Sequence, residues 1–187
     1  LTEGLFRPET RDEEQVFSPL RSIPAERNLE YYENALLEVE RLVWLVEQNR
    51  VLEDDRSAEA LSAYLSLDPS AIDYADRLDR LAGRYEDTHL GDNLKLAVAE
   101  ATPDPYQKAI MLIALSEHQL TDAAIEANYA LGRLAMKTAE APALPLLPKV
   151  QSPETYFKAV IAARENPWQR RAAARLAWLA ARPRRQD

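Results

Sequence analysis

Apolar residues recur every three or four positions along most of the chain, the spacing that places side chains on one face of an α-helix. The clearest example spans residues 26–49, where a heptad-like stripe is formed by Leu29, Tyr32, Leu36, Val39, Val43 and Val46. Neighbouring apolar residues widen this stripe beyond the seam of a two-stranded coiled coil; they are Leu37, Leu42, Trp44 and Leu45. The pattern therefore favours burial within a helical bundle, whereas an exposed stripe would indicate a dimer surface.

Two further helical patterns fill residues 104–140 and are separated by a break at 117–120. Asp104-Pro105 predicts the start of the first helix, because Asp caps free amides and Pro at the first helical position loses no hydrogen bond. The nearly continuous apolar run at 110–115 predicts that this is the core helix. Thr121 predicts the cap of the second helix, whose many Ala residues and Gly132 predict close approach by a neighbouring helix.

Other cap residues predict short helices elsewhere in the chain. Ser57 is the expected cap of one helix, and Asp68-Pro69 the expected start of the next, with Ile72 on its inner face. Ser152-Pro153 and Asn166-Pro167 predict the last two helix starts. Together these patterns predict an all-α multi-helix bundle of about seven or eight antiparallel helices. The 36 residues from Asp68 to Asp104 leave a helical-hairpin repeat open as an alternative.

Proline and charge suggest three regions. Residues 1–25 contain Pro8, Pro19 and Pro24 without a sustained period, which predicts an extended N-terminal arm or linker. Residues 26–182 are the predicted helical domain, and residues 183–187 are a predicted basic tail. Within the domain, three prolines at 141–148 predict an extended connector.

Composition narrows the function classes. The formal charge of -8 argues against general nucleic-acid binding, which depends on neutralising phosphates. The chain has no Cys, so thiolate nucleophiles and Cys-ligated metals are excluded. No apolar run approaches the roughly 20 residues of a transmembrane helix, so no transmembrane segment is expected. The chain begins with Leu1, which leaves a cytoplasmic protein, a periplasmic protein and a processed lipoprotein open.

Two histidines are the main candidates for chemistry. Glu86 and His89 have the Glu-x-x-His spacing of carboxylate-bridged di-iron bundles. The residue three before His118 is Leu115, so the second half of such a site is missing. Because no serine triad, phosphate-binding glycine loop or paired metal motif is found, we expect no cofactor, no metal and no catalytic activity.

The C-terminal residues carry the strongest charge asymmetry. Residues 164–187 contain seven Arg and two acidic residues, a local charge of +5 that leaves -13 for the rest. Four roles remain open: an intramolecular clamp on the acidic body, a protein-partner site, an anchor on an anionic membrane surface, and nucleic-acid binding. The predicted partner-binding residues combine cationic and aromatic side chains; they are Trp168, Arg171, Arg175, Trp178 and Arg182.

These observations predict a non-catalytic helical module for protein–protein interaction or assembly, such as a scaffold or accessory protein. Its partner is expected to be another protein or a second copy of the chain. One alternative is a peripheral cell-envelope or membrane-associated accessory protein tethered through the N-terminal arm. A second alternative is a helical bundle that binds a small ligand in its core.

Overall fold

The computed structural model describes residues 25–118, 121–140 and 150–181. These residues form eight α-helices, a short 3-10 turn at Val51–Glu53 and no β-strand. In chain order the helices are α1 Ala25–Gln48, α2 Asp55–Leu65, α3 Tyr74–Arg84, α4 Gly91–Ala101, α5 Pro105–Ser116, α6 Asp122–Glu140, α7 Pro153–Ala162 and α8 Gln169–Ala181. The predicted all-α, multi-helix fold is confirmed.

The chain divides into two compact units, Leu1–Leu42 and Val43–Asp187, and the division falls within α1. The N-terminal arm up to residue 24, the 141–148 connector and the basic tail lie outside the described residues. The predicted boundaries at 25/26 and 182/183 therefore stay predictions.

Several predicted helix starts are confirmed by side-chain hydrogen bonds. The Asp104 carboxylate accepts a bond from the Tyr106 backbone N–H at 2.8 Å, with Pro105 at the first helical position. The Thr121 hydroxyl accepts one from the Ala124 N–H at 3.0 Å. At α7, the Ser152 hydroxyl accepts from the Thr155 N–H. Each cap pairs an amide that the first helical turn leaves without an intrahelical partner.

Three helix starts differ from the prediction. The cap of α2 is Asp54 rather than Ser57, because the Asp54 carboxylate accepts bonds from the backbone N–H groups of Arg56 and Ser57. Ser57 is instead buried inside α2, and its hydroxyl donates to Asp54. This hydroxyl, with the two backbone donors, holds the pKa of the Asp54 carboxyl below its usual range.

The start of α3 is also later than expected. Asp68 and Ser70 form a turn in which the Asp68 carboxylate accepts the Ser70 backbone N–H at 2.9 Å. The helix begins only at Tyr74, and Ile72 is fully exposed rather than on an inner face. Similarly, Asn166 accepts the Trp168 backbone N–H at 3.1 Å, and α8 begins after that turn, at Gln169.

The second unit contains three clusters of buried apolar side chains. The first joins α4, α5, α6 and α7 through Leu96, Leu112, Leu131 and Tyr156. The second joins the end of α1 to the 3-10 turn, α2, α3 and α4 through Leu45, Val51, Ala60, Ala82 and Leu94. The third joins α6, α7 and α8 through Ile125, Tyr129, Phe157, Val160 and Ala172, and it includes Trp168 just before α8.

The most deeply packed helix is α6, which contacts α4, α5 and α7. Its small residues Ala123 and Ala127 are fully buried, and Gly132 lies directly beneath the Phe157 ring. An aromatic side chain of the neighbouring α7 therefore packs directly against the small residues of α6, whereas close approach of a neighbouring helix backbone stays a prediction. The prediction that α5 is the core helix was wrong, because Ile110 is 52% exposed and Ala114 is also exposed.

Candidate protein-interaction surfaces

The first candidate surface is a row of large apolar side chains on α1. The exposed fractions are 47% for Tyr32, 59% for Leu36, 57% for Val39 and 52% for Val43. We call these four residues the α1 stripe. The expectation that this face is buried in a bundle was wrong for all four, and the exposed form of the stripe, which the sequence left open, is the one observed.

The α1 stripe follows one uninterrupted helix, since its residues are spaced four, three and four positions apart within Ala25–Gln48. At 1.5 Å per residue it is about 16 Å long. Within the second unit, the helix has another apolar side, where Leu45 is buried and Trp44 is half-buried. A helix with a second, exposed apolar face is a typical site for docking another helix.

Other exposed apolar side chains are more scattered. Leu52 and Ile72 have no large apolar neighbour at helical spacing that is also exposed, and single exposed apolar residues are common on protein surfaces. Tyr106 and Ile110 form a shorter pair, four residues apart on α5. The α1 stripe is therefore the longest exposed apolar row among the described residues.

The second candidate surface lies on α8, where the sequence placed the partner-binding residues. Arg171, Arg175 and Trp178 are spaced four and three residues apart and share one face of the helix. Arg175 is exposed, Trp178 is 41% exposed and Arg171 is half-buried. Arg182 lies outside the described residues.

Trp168 does not join that face. It precedes α8, is 3% exposed, and packs edge-to-face on Trp44 with ring centroids 5.3 Å apart. The guanidinium of Arg164 lies over the Trp44 ring at 5.6 Å from its centroid, a cation–π contact. The Trp168 side chain thus belongs to the core of the second unit, and not to the exposed face of α8.

A buried polar cluster ties the start of α6 to two other segments. The Asp122 carboxylate accepts one bond from the Asn49 side-chain amide at 2.9 Å and another from the Asn93 amide at 2.7 Å. Asp122 and Asn93 are both buried, and the Asn93 carbonyl oxygen has no hydrogen-bond partner among the described residues. Since the carboxylate stands in the first turn of α6, the helix dipole also favours its negative charge.

A shallow depression of about 440 Å³ lies along α3 and is lined by Asp73, Arg77, Arg80, Leu81 and Arg84. Its cations already have acidic neighbours: Arg77 bonds Asp73 at 2.7 Å and Arg84 reaches Glu59 at 3.4 Å. The Arg77 guanidinium holds the pKa of the Asp73 carboxyl below its usual range. We interpret this face as a solvated, salt-bridged surface.

The two histidines occupy surface positions. His89 and Glu86 are exposed, and the His118 ring nitrogen Nδ1 lies 2.9 Å from an Asp92 carboxylate oxygen. Among the described residues, no three side chains of the His, Cys, Asp and Glu types come together in a way that could hold a metal ion. No helix in that part of the chain is both long and apolar enough to cross a membrane.

Comparison with protein-family models, with curated proteins and with solved structures found no match to this chain. The interpretation of the two surfaces therefore depends on their own geometry and chemistry.

In addition to its apolar residues, the sequence of α1 has a regular spacing of acidic residues beside the α1 stripe. Glu33, Glu40 and Glu47 recur every seven residues, and Glu40 and Glu47 are exposed along one side of the stripe. A charged residue at every seventh position beside an apolar seam is typical of a helix that pairs with another helix.

Proposed function

We propose that this chain is a non-catalytic helical module for protein–protein interaction, and that the α1 stripe is its principal docking surface. The observation that carries the proposal is the exposure of four large apolar side chains in one row on one helix. Fully burying a side chain of this size contributes about 1.5–3 kcal/mol, so covering the half-exposed stripe supplies a substantial part of a binding free energy.

We further propose that the α8 face contributes a second contact through Arg175 and Trp178. Arg and Trp are enriched among the residues that dominate binding energy at protein interfaces, because they combine a large contact area with a polar group. The partner-binding roles that the sequence predicts for Arg171 and Arg182 are retained as part of this proposal, although Arg182 lies outside the described residues.

Site-specific photo-crosslinking in the source cells tests the α1 stripe. A photoreactive phenylalanine analogue replaces Val39 in one variant and Ile72 in a matched control, since Ile72 is exposed but isolated. We expect a protein adduct of defined mass from position 39 and none from position 72. Adding Leu36→Glu to the position-39 variant should remove the adduct, because a charge in the middle of the stripe opposes its desolvation.

The presence or loss of the crosslinked adduct tests the α1 stripe only if the variants remain folded. Leu36 is 59% exposed, so Leu36→Glu should change the free energy of unfolding by no more than about 0.5 kcal/mol. Equal adducts from positions 39 and 72, or an adduct that survives Leu36→Glu, would contradict the proposal. A small molecule retained through gentle purification would instead favour the ligand-binding bundle.

A further inference from the structure

The two sides of the α1 stripe differ in charge, and this difference points to the kind of helix that covers it. With Leu36 and Val43 at heptad positions a, and Tyr32 and Val39 at positions d, the positions g hold Ala35 and Leu42. The positions e on the opposite side hold Glu40 and Glu47, and both are exposed. One side of the stripe is therefore apolar and the other is acidic.

Acidic residues outnumber cations along the α1 stripe, since residues 32–48 contain four Glu and one Arg. The Arg41 side chain is only 13% exposed, and its guanidinium lies 3.7 Å from the carboxylate of Glu38. Glu38 itself is largely exposed, and Arg50 beyond the helix end pairs with Glu53 at 3.8 Å. The surroundings of the stripe thus carry net negative charge.

A second copy of this chain would complement the stripe poorly. In a parallel pair, position g of one helix faces position e of the other, so that Glu40 and Glu47 would face Ala35 and Leu42 of the copy without an attractive contact. In an antiparallel pair, positions e face each other, which would place Glu against Glu. Both copies also carry a formal charge of -8.

We infer that the α1 stripe binds a basic amphipathic helix of a different protein, with an apolar seam flanked by Lys or Arg. This inference rests on the proposed function, since it names the partner of the same surface. Cations along the seam of such a helix would lie opposite Glu40 and Glu47, and its apolar residues would cover Leu36 and Val39. Charge pairs of this kind choose the partner and its orientation more than they add affinity.

Three peptides of about 21 residues, each three heptads long, test the inference. The first has Leu at positions a and d with Lys at e and g. The second has the same apolar residues with Glu at e and g, and the third keeps the Lys residues but has Ser at a and d. Binding of each fluorescently labelled peptide to the full-length chain is measured by anisotropy near physiological salt and again at about 0.5 M salt.

We expect the first peptide to bind at least roughly tenfold more tightly than either of the others. Leu36→Glu should abolish its binding, whereas Ile72→Glu, a matched surface control, should leave it unchanged. The variant that combines Glu40→Lys with Glu47→Lys should reverse the preference, so that the Glu-flanked peptide binds better. Higher salt should weaken the binding of the Lys-flanked peptide to the unmodified chain, and likewise the binding of the Glu-flanked peptide to the double Lys variant.

Equal binding of the Lys-flanked and Glu-flanked peptides, or a preference that the Lys variant does not reverse, would overturn the basic-helix inference. If that binding remained sensitive to Leu36→Glu, the proposed docking surface would still stand. A dimer of the unmodified chain in sedimentation experiments, lost in Leu36→Glu, would identify a second copy as the occupant and would also overturn it. Absence of both peptide binding and the crosslinked adduct would remove the proposed function as well.

Discussion

At the scale of single residues, Asp122 stands out because its carboxylate is buried and therefore requires hydrogen-bond donors from the protein. Its buried carboxylate is satisfied by the amides of Asn49 and Asn93, at 2.9 and 2.7 Å. We expect Asp122→Ala to lower the free energy of unfolding by about 2–4 kcal/mol. It leaves the buried Asn93 amide without its acceptor, and it removes one of the two acceptors of the half-buried Asn49 amide, which also donates to the Leu45 carbonyl oxygen. Equilibrium urea unfolding measures this loss.

Asp92→Ala is the matched control, since Asp92 also lies in the first turn of a helix but pairs with the half-exposed His118 at the surface. A single exposed hydrogen bond contributes about 0.5–1.5 kcal/mol, so this variant should lose no more than that. If Asp122→Ala cost no more than Asp92→Ala, the buried amide contacts would not stabilise the fold as argued.

Local chemistry explains which residue-level predictions succeeded. Asp104, Thr121 and Ser152 cap their helices as predicted, because a cap bonds amides only two or three residues away. Ser57 failed because Asp54, a stronger acceptor three residues earlier, takes the cap position. Trp168 failed as a surface residue because its burial depends on Trp44, 124 positions away, which no local pattern shows.

At the scale of secondary-structure elements, the contact between α6 and α7 depends on Gly132, because a glycine has no side chain to collide with α7. A Cβ atom built on Gly132 would lie 2.6 Å from the Phe157 ring, and that ring is fully buried. We expect Gly132→Ala to lower the free energy of unfolding by about 1–3 kcal/mol, because the strain of overpacking exceeds the helix propensity that Ala adds. Thermal or urea unfolding measures the change.

Gly83 in α3 offers the opposite case, since a Cβ atom there meets nothing within 4 Å. Gly83→Ala should therefore raise the free energy of unfolding by roughly 0.5–1 kcal/mol through helix propensity alone. A stabilising Gly132→Ala would show that α7 can shift away from α6 without cost, contrary to the tight packing described.

For α1, the sequence predicts the helix and its apolar sides but does not predict which of those sides is exposed. Its helical period and both of its apolar sides are visible in the sequence, one through Leu36 and Val39 and the other through Trp44 and Leu45. Which side is covered depends on the elements that pack against it, and periodicity contains no information about them. The same limit explains why α5, more uniformly apolar than α6, was wrongly expected to be the core helix.

At the scale of the whole molecule, packing within the second unit is uneven. Most described side chains of α6 are buried, whereas Ala172 is the one buried residue within α8. We expect the backbone amides of α6 to exchange hydrogen most slowly and those at the C-terminal end of α8 much faster, because local opening is cheaper where few apolar contacts are broken. Hydrogen-exchange mass spectrometry measures both, and equal protection of α6 and α8 would contradict this order.

The candidate interaction surface was the feature least accessible to sequence reasoning. Charge and composition singled out the arginines of α8, but the largest exposed apolar row lies on α1, where the sequence favoured burial. Periodicity alone does not show whether an apolar helix face is buried or exposed. The regular spacing of Glu33, Glu40 and Glu47 is the part of the signal for this surface that a sequence does contain.

The edge-to-face pair of Trp44 and Trp168 also determines the near-ultraviolet optical signal of this protein. The chain has only three Trp residues, and two of them lie 5.3 Å apart in one cluster while Trp178 is 41% exposed. Coupled indole transitions in a fixed geometry give a near-ultraviolet circular dichroism band that vanishes when side-chain packing is lost. The exposed indole instead responds to collisional quenchers, so core packing and the α8 surface have separate intrinsic optical reporters.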